Sequence, residues 1–252
     1  MKKYVSCRKV DKMKKLFNAI RKNDLETVKR ILDADPELIN CVATPPPKKD
    51  EGQSLLQVAN KAGSLTIAHY LIDRGIDVNY MEPDNGLTWT QCFRCPVLID
   101  AVRFLLSGGP GWKKNIEERR ELILHLLKKG ADPNKTDNGN RNSWDWAIQA
   151  YIDAINTVGD AEQKELFTDF AKELFDILYQ YSVDILNIDR VHNELEDYPN
   201  YSLVLENLIL NRNDSYGVVP EKLENWNKRW SPVIEVVKPF YAKNNPNYEN
   251  NK

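Results

Sequence analysis

Two cysteines three positions apart, Cys92-Phe93-Arg94-Cys95, have the spacing in this 252-residue chain that best suits chemistry. A dithiol so spaced is redox-active when it sits at a helix N-terminus after a buried strand, where the helix dipole lowers the thiol pKa. Here Pro96-Val97-Leu98-Ile99 follows at once, which places Cys95 near a helix start, but no strand precedes it. As half of a zinc site the pair lacks a second pair of ligands, since Cys7 and Cys41 are remote in sequence. Structural thiols are expected, with no metal and no cofactor. His69 and His125 stand 6 and 5 residues before Gly75 and Gly130. That offset turns them to somewhat different sides of their helices, so both are expected in solvent. His192 lies in a loop with Glu194, Glu196 and Asp197, but no nucleophile and no glycine-rich anion loop stands beside it. Gly108-Gly109-Pro110-Gly111 lacks the Lys-Ser/Thr close of a phosphate-binding loop. The run Glu117 to Glu121 reads as a solvated first helix turn. The chain is therefore expected not to be an enzyme. The competing enzymatic reading rests on His192 and its neighbouring acids.

Composition narrows the class further. The chain is 42% hydrophobic and 29% charged, with a net charge of -2, so nothing in it suggests nucleic-acid binding. Met1-Lys2-Lys3-Tyr4-Val5 runs into Cys7-Arg8-Lys9 rather than an apolar core, so no signal peptide is expected. No window approaches the roughly 20 apolar residues of a membrane span. Four cysteines without framework spacing suit reduced thiols in the cytoplasm.

The elements that position these residues are announced by a phrase written twice, Gly75-Ile-Asp-Val-Asn79 and Gly130-Ala-Asp-Pro-Asn134. Each follows an apolar run with helical spacing. Glycine suits a left-handed helix end, and Asp and Asn hold the turn that follows through side chain–backbone bonds. Ala68, Leu71 and Ile72 lie 7, 4 and 3 residues before Gly75. The same offsets give Ile123, Leu126 and Leu127 before Gly130, Phe175, Leu178 and Tyr179 before Ser182, and Val28, Ile31 and Leu32 before Asp35. Four helix ends thus share one inward pattern.

Ser54 to Asn79, Asn134 to Ala147 and Leu16 to Val28 together resemble the ankyrin repeat, whose units open on a Thr-Pro-Leu-His-like start and close on a Gly-Ala-Asp-Val-Asn-like end. The resemblance covers about three quarters of the chain and implies an all-α, ankyrin-like helical solenoid of four units, roughly 11–44, 52–83, 95–138 and 142–187. The departures are an insertion around 107–111, two long helices at about 143–157 and 162–181, and enlarged loops at 40–54 and 79–96. The domain reading is a repeat stack over 1–189 and a C-terminal helical cap or degenerate fifth repeat over 190–252, with a polar tail. Trp226 and Trp230 share a face of that cap, where self-association is the competing reading to a monomer.

In the ankyrin family, loop tips and the concave face of the first helices hold a partner protein. Carried across, this implies Tyr80 and Glu82 in one loop, Lys135, Asp137 and Asn138 in the next, and Gln57, Asn60 and Lys61 on the concave side. Trp146 belongs either to that face or to the core, and Trp89 either anchors a partner or folds over its own loop; Trp144 is expected in the core. The function expected is a non-enzymatic, protein-binding module, such as an inhibitor or immunity-type protein that occludes its target. No nucleic acid and no membrane is expected as partner. The alternative is a small-ligand binder whose pocket is formed by the insertions in repeats three and four.

Overall fold

The structure is a computed structural model that describes residues 7–45, 47, 50–84, 86–87, 92–106, 112–185 and 220–244, with backbone alone at 7–9, 112–115, 220–230 and 244. Among these residues the chain is all-helical and has no strand. A single isolated antiparallel bridge pairs Val42 with Ser54. The helices are α1 (Cys7–Arg21), α2 (Leu25–Ala34), a 3-10 turn (Pro36–Asn40), α3 (Leu55–Ala62), α4 (Leu65–Asp73), α5 (Val97–Leu105), α6 (Trp112–Lys128), α7 (Ser143–Thr157), α8 (Ala161–Gln180) and α9 (Pro220–Asn244). None of these is long and apolar enough to cross a membrane.

Two compact units emerge. The first holds residues 1–101 and 113–139, and the second holds 102–112 and 140–252. The predicted boundary at 189 and His192 lie outside the described residues. So does the 107–111 insertion.

In the first unit α1 packs on α2 and α3, and α3 packs on α4. Helices of eight and nine residues, such as α3 and α4, are too short to persist alone. Their ends and their apolar faces must therefore hold them. Ser54 caps α3 by accepting from the Gln57 amide, while the Gln57 side chain accepts from the Ser54 amide, a reciprocal box. Leu55, Leu56, Ile67 and Leu71 are fully or almost fully buried, each stabilising by about 1.5–3 kcal/mol.

The shared offset pattern faces inward as expected, with Ile31 and Tyr179 half-buried. Gly75 (φ 83°) and Gly130 (φ 91°) adopt the left-handed conformation that ends α4 and α6. The next amides then reach back, Ile76 to Leu71 O and Ala131 to Leu126 O. Ser182 (φ 61°) makes the same turn after α8, where Val183 donates to Leu178 O. The first helix pair departs from the others. Asp35 is extended (φ -150°), because Pro36 disfavours a helical residue before it and starts the 3-10 turn.

The second unit is built differently. α7, α8 and α9, of 15, 20 and 25 residues, pack together around Trp144, which is fully buried as expected. Phe175 and Phe240 meet its ring edge-on at 4.8 and 5.4 Å between centroids. The indole N–H donates to Tyr241 Oη (3.2 Å), and that hydroxyl donates to Ile185 O (3.2 Å).

Candidate functional site

The two copies of the Gly-x-Asp-x-Asn phrase close on each other. Asp77 Oδ1 accepts from the Asn79 amide and Asp132 Oδ1 from the Asn134 amide, both at 2.8 Å, so each copy forms the same local turn. Asn79 then spans the two. Its Nδ2 donates to Gly130 O (2.7 Å), and its Oδ1 accepts from the Asp132 amide (2.8 Å). Lys135 Nζ donates to Asn79 O.

A second lacing ties the enlarged loop to both neighbours. Gln57 Nε2, on α3, donates to Glu82 Oε2 (3.1 Å) and to Cys95 O (3.0 Å). Arg94, 6% exposed, donates to Glu82 O and to Asp84 Oδ1 (2.7 Å). Its amide donates to Asn138 Oδ1 (3.0 Å), its carbonyl accepts from the Asn138 amide (3.1 Å), and Asn138 Nδ2 donates to Cys92 O (2.8 Å). The described residues of these loops are thus fixed by bonds within the chain, and groups so fixed add little to the ordering cost of an association.

The residues expected at the contact surface fall into three groups. Gln57 and Asn60 are 1% and 0% exposed, which corrects their placement on an open concave face. Gln57 is held by its own cap and by the returning enlarged loop. The Asn60 amide is buried on α3 with neither its oxygen nor its nitrogen hydrogen-bonded. Glu82 and Asn138 are tied into the lacing, while Asp137 accepts from the Gly139 amide of its own turn (2.8 Å); Glu82 and Asp137 are buried, which corrects their placement at exposed loop tips. Tyr80 is half-buried and donates to Gly52 O (2.7 Å). Burial, and then the charge of Glu82, push its phenol above the ordinary range. Lys61 stays exposed on the surface, 3.8 Å from the buried carboxylate of Asp100. Lys135 remains half-exposed.

Trp146, in the second unit, is half-buried between two cations. The Arg141 and Arg103 guanidinium carbons stand 4.0 and 4.5 Å from its ring centroid. Trp89 lies outside the described residues. Cys92 is half-buried and Cys95 buried. Among the described residues no three His, Cys, Asp or Glu side chains gather as a metal-holding group.

Sequence reasoning missed two features. Arg94 carried no periodic signal, although its place between Cys92 and Cys95 put it at the loop's return. The histidines were expected in solvent, yet His69 Nδ1 and His125 Nδ1 lie 2.7 Å apart, with ring centroids 5.0 Å apart and ring planes within 17° of each other. Asp73 Oδ1 sits 3.1 Å from His125 Nε2 and 3.1 Å from Lys129 Nζ. The Lys129 bond, above all, holds Asp73 below the usual carboxylate range.

No known family model matches the chain. Two curated proteins are similar to part of it. One is E3 ubiquitin-protein ligase Ufd4 of Drosophila melanogaster, 29% identical over 96 residues. The other is E3 ubiquitin-protein ligase hecd-1 of Caenorhabditis elegans, 32% identical over 96 residues. Each match covers 38% of this chain, and the chain spans about 3% of the length of either relative. These relatives correct the expectation that the chain is not an enzyme, because both are named as ligases. The correction rests on a fragment of each protein.

Proposed function

We propose that this chain is a protein-binding module of ankyrin-like helix-pair repeats whose laced loops form the contact surface. The observation that carries this reading is the Asn79 bridge to Gly130 and Asp132, which fixes two neighbouring loops in one register. Tyr80 and Lys135 supply accessible contacts beside it, and Lys61 is a further exposed cation of the same unit.

The ligase relatives favour a more specific version, in which the module selects a protein for ubiquitin transfer. The test begins with affinity capture from a native extract by wild type and by a Lys61→Glu/Lys135→Glu variant. The captured protein is then purified, and binding to each form is measured directly. Loss of binding in a variant with unchanged circular dichroism supports the loop surface. Equal binding by both forms overturns it. Adding ubiquitin with activating and conjugating enzymes then asks whether the bound protein is modified only when this chain is present.

A further inference from the structure

The paired histidines of α4 and α6, nearly coplanar and meeting edge to edge, impose a strict count of protons. Two ring nitrogens 2.7 Å apart form a hydrogen bond only when one carries a proton and the other does not. The Asp73 carboxylate accepts and cannot donate, so the proton between it and His125 Nε2 belongs to the imidazole. Neutral His125 therefore presents a bare Nδ1, and His69 Nδ1–H donates to it. The chain of bonds runs from His69 through His125 to Asp73, where Lys129 shares the same carboxylate oxygen.

Acid adds protons in a fixed order of consequence. One proton at His69 Nε2 leaves the inter-ring bond intact. The next can enter only at His125 Nδ1, where it removes the acceptor and sets two N–H groups head to head between two cations. The groups facing His69 are Asp73 on its own helix and His125, Glu121 and Glu118 on α6. The three carboxylates favour its charged form, whereas burial, and then the charge of His125, oppose it. The opposing effects prevail, and the His69 imidazole is held below its ordinary range. At His69 the folded form accordingly binds fewer protons than the unfolded form, where an imidazole titrates near 6.5. Stability contributed by the contact is present above that pH and is lost as pH falls below it.

The position of the pair gives this chemistry a consequence. α4 ends at Asp73 and α6 at Lys128, and the loops they feed are joined by Asn79. We propose that the His69–His125 contact is a proton-operated latch between α4 and α6, closed at neutral pH and released when both imidazoles are cationic. Releasing it frees the helices that set the register of the two laced loops.

The experiment is amide hydrogen exchange on the full chain at pH 7.5 and 5.5, corrected for intrinsic rates. Wild type is compared with a His69→Gln/His125→Gln variant, whose side chains hydrogen-bond without titrating. Exchange in α4 and α6 of the wild type is expected to accelerate, by up to about tenfold per pH unit for each proton taken up, while the variant stays flat. Equal acceleration in both proteins, or none in the wild type, overturns the latch. Nitrogen NMR of the wild-type imidazoles tests the same point without relying on the fold of the double variant, with His192→Gln assigning the third histidine. The latch requires a proton on His125 Nε2 and titration of the pair in two separated steps. Independent titration of both rings near 6.5 overturns it.

Discussion

The two units of this chain solve the same problem by opposite means. In the first, helices as short as eight residues are joined by polar lacing: Asn79 to Gly130 and Asp132, Asn138 to Arg94, Gln57 to Glu82. In the second, helices of 15 to 25 residues meet around one buried indole with a ring of aromatic edges. Short helices offer little apolar area, so their loops must contribute stability. Long helices bury enough apolar area to hold one another directly. The proposed binding surface is assigned to the first design, because loops already held in place lower the ordering cost of association.

The contrast breaks most visibly at Trp144. Trp144→Ala removes the centre of the second unit and is expected to cost about 3–5 kcal/mol. Urea denaturation followed by limited proteolysis should show residues 140–185 cut first, while 7–84 stay protected. In the first unit the equivalent stress point is polar. Asn79→Ala strands the Gly130 carbonyl and the Asp132 amide at a partly solvated site, for about 1–2 kcal/mol. Its mark should appear as faster exchange in both loops, with little change around Trp144. Ser54→Ala removes one arm of the capping box on α3, worth about 1 kcal/mol in chemical denaturation. The smallest effect has the opposite sign. Ser182→Gly relieves a left-handed serine at the end of α8 and should raise stability by about 0.5–1 kcal/mol. A loss there would mean that the serine hydroxyl contributes more than the backbone strain costs.

Much of the scaffold was legible in the sequence. The helices expected near 143–157 and 162–181 appear at Ser143–Thr157 and Ala161–Gln180, because Asn142 and Asp160 are strong caps with clear apolar periods behind them. The paired phrases marked both left-handed ends, since glycine followed by Asp-x-Asn suits few other structures. The surface was harder to read. A repeat pattern places Gln57 and Asn60 on an open face, but it is silent about an enlarged loop that folds back to put Glu82 and Cys95 O onto Gln57. Helical offsets of 6 and 5 from a glycine describe each histidine on its own helix. They carry no information about a contact between residues 56 positions apart.

The Asn79 side chain has one further consequence, for the ageing of the protein. Its amide works at both ends, giving a proton to Gly130 O and taking one from the Asp132 amide. Hydrolysis of that amide to a carboxylate would exchange the donor for a second acceptor and set two oxygens against each other across the bridge. Deamidation at this one residue would therefore separate the loops with no change in the length of the chain.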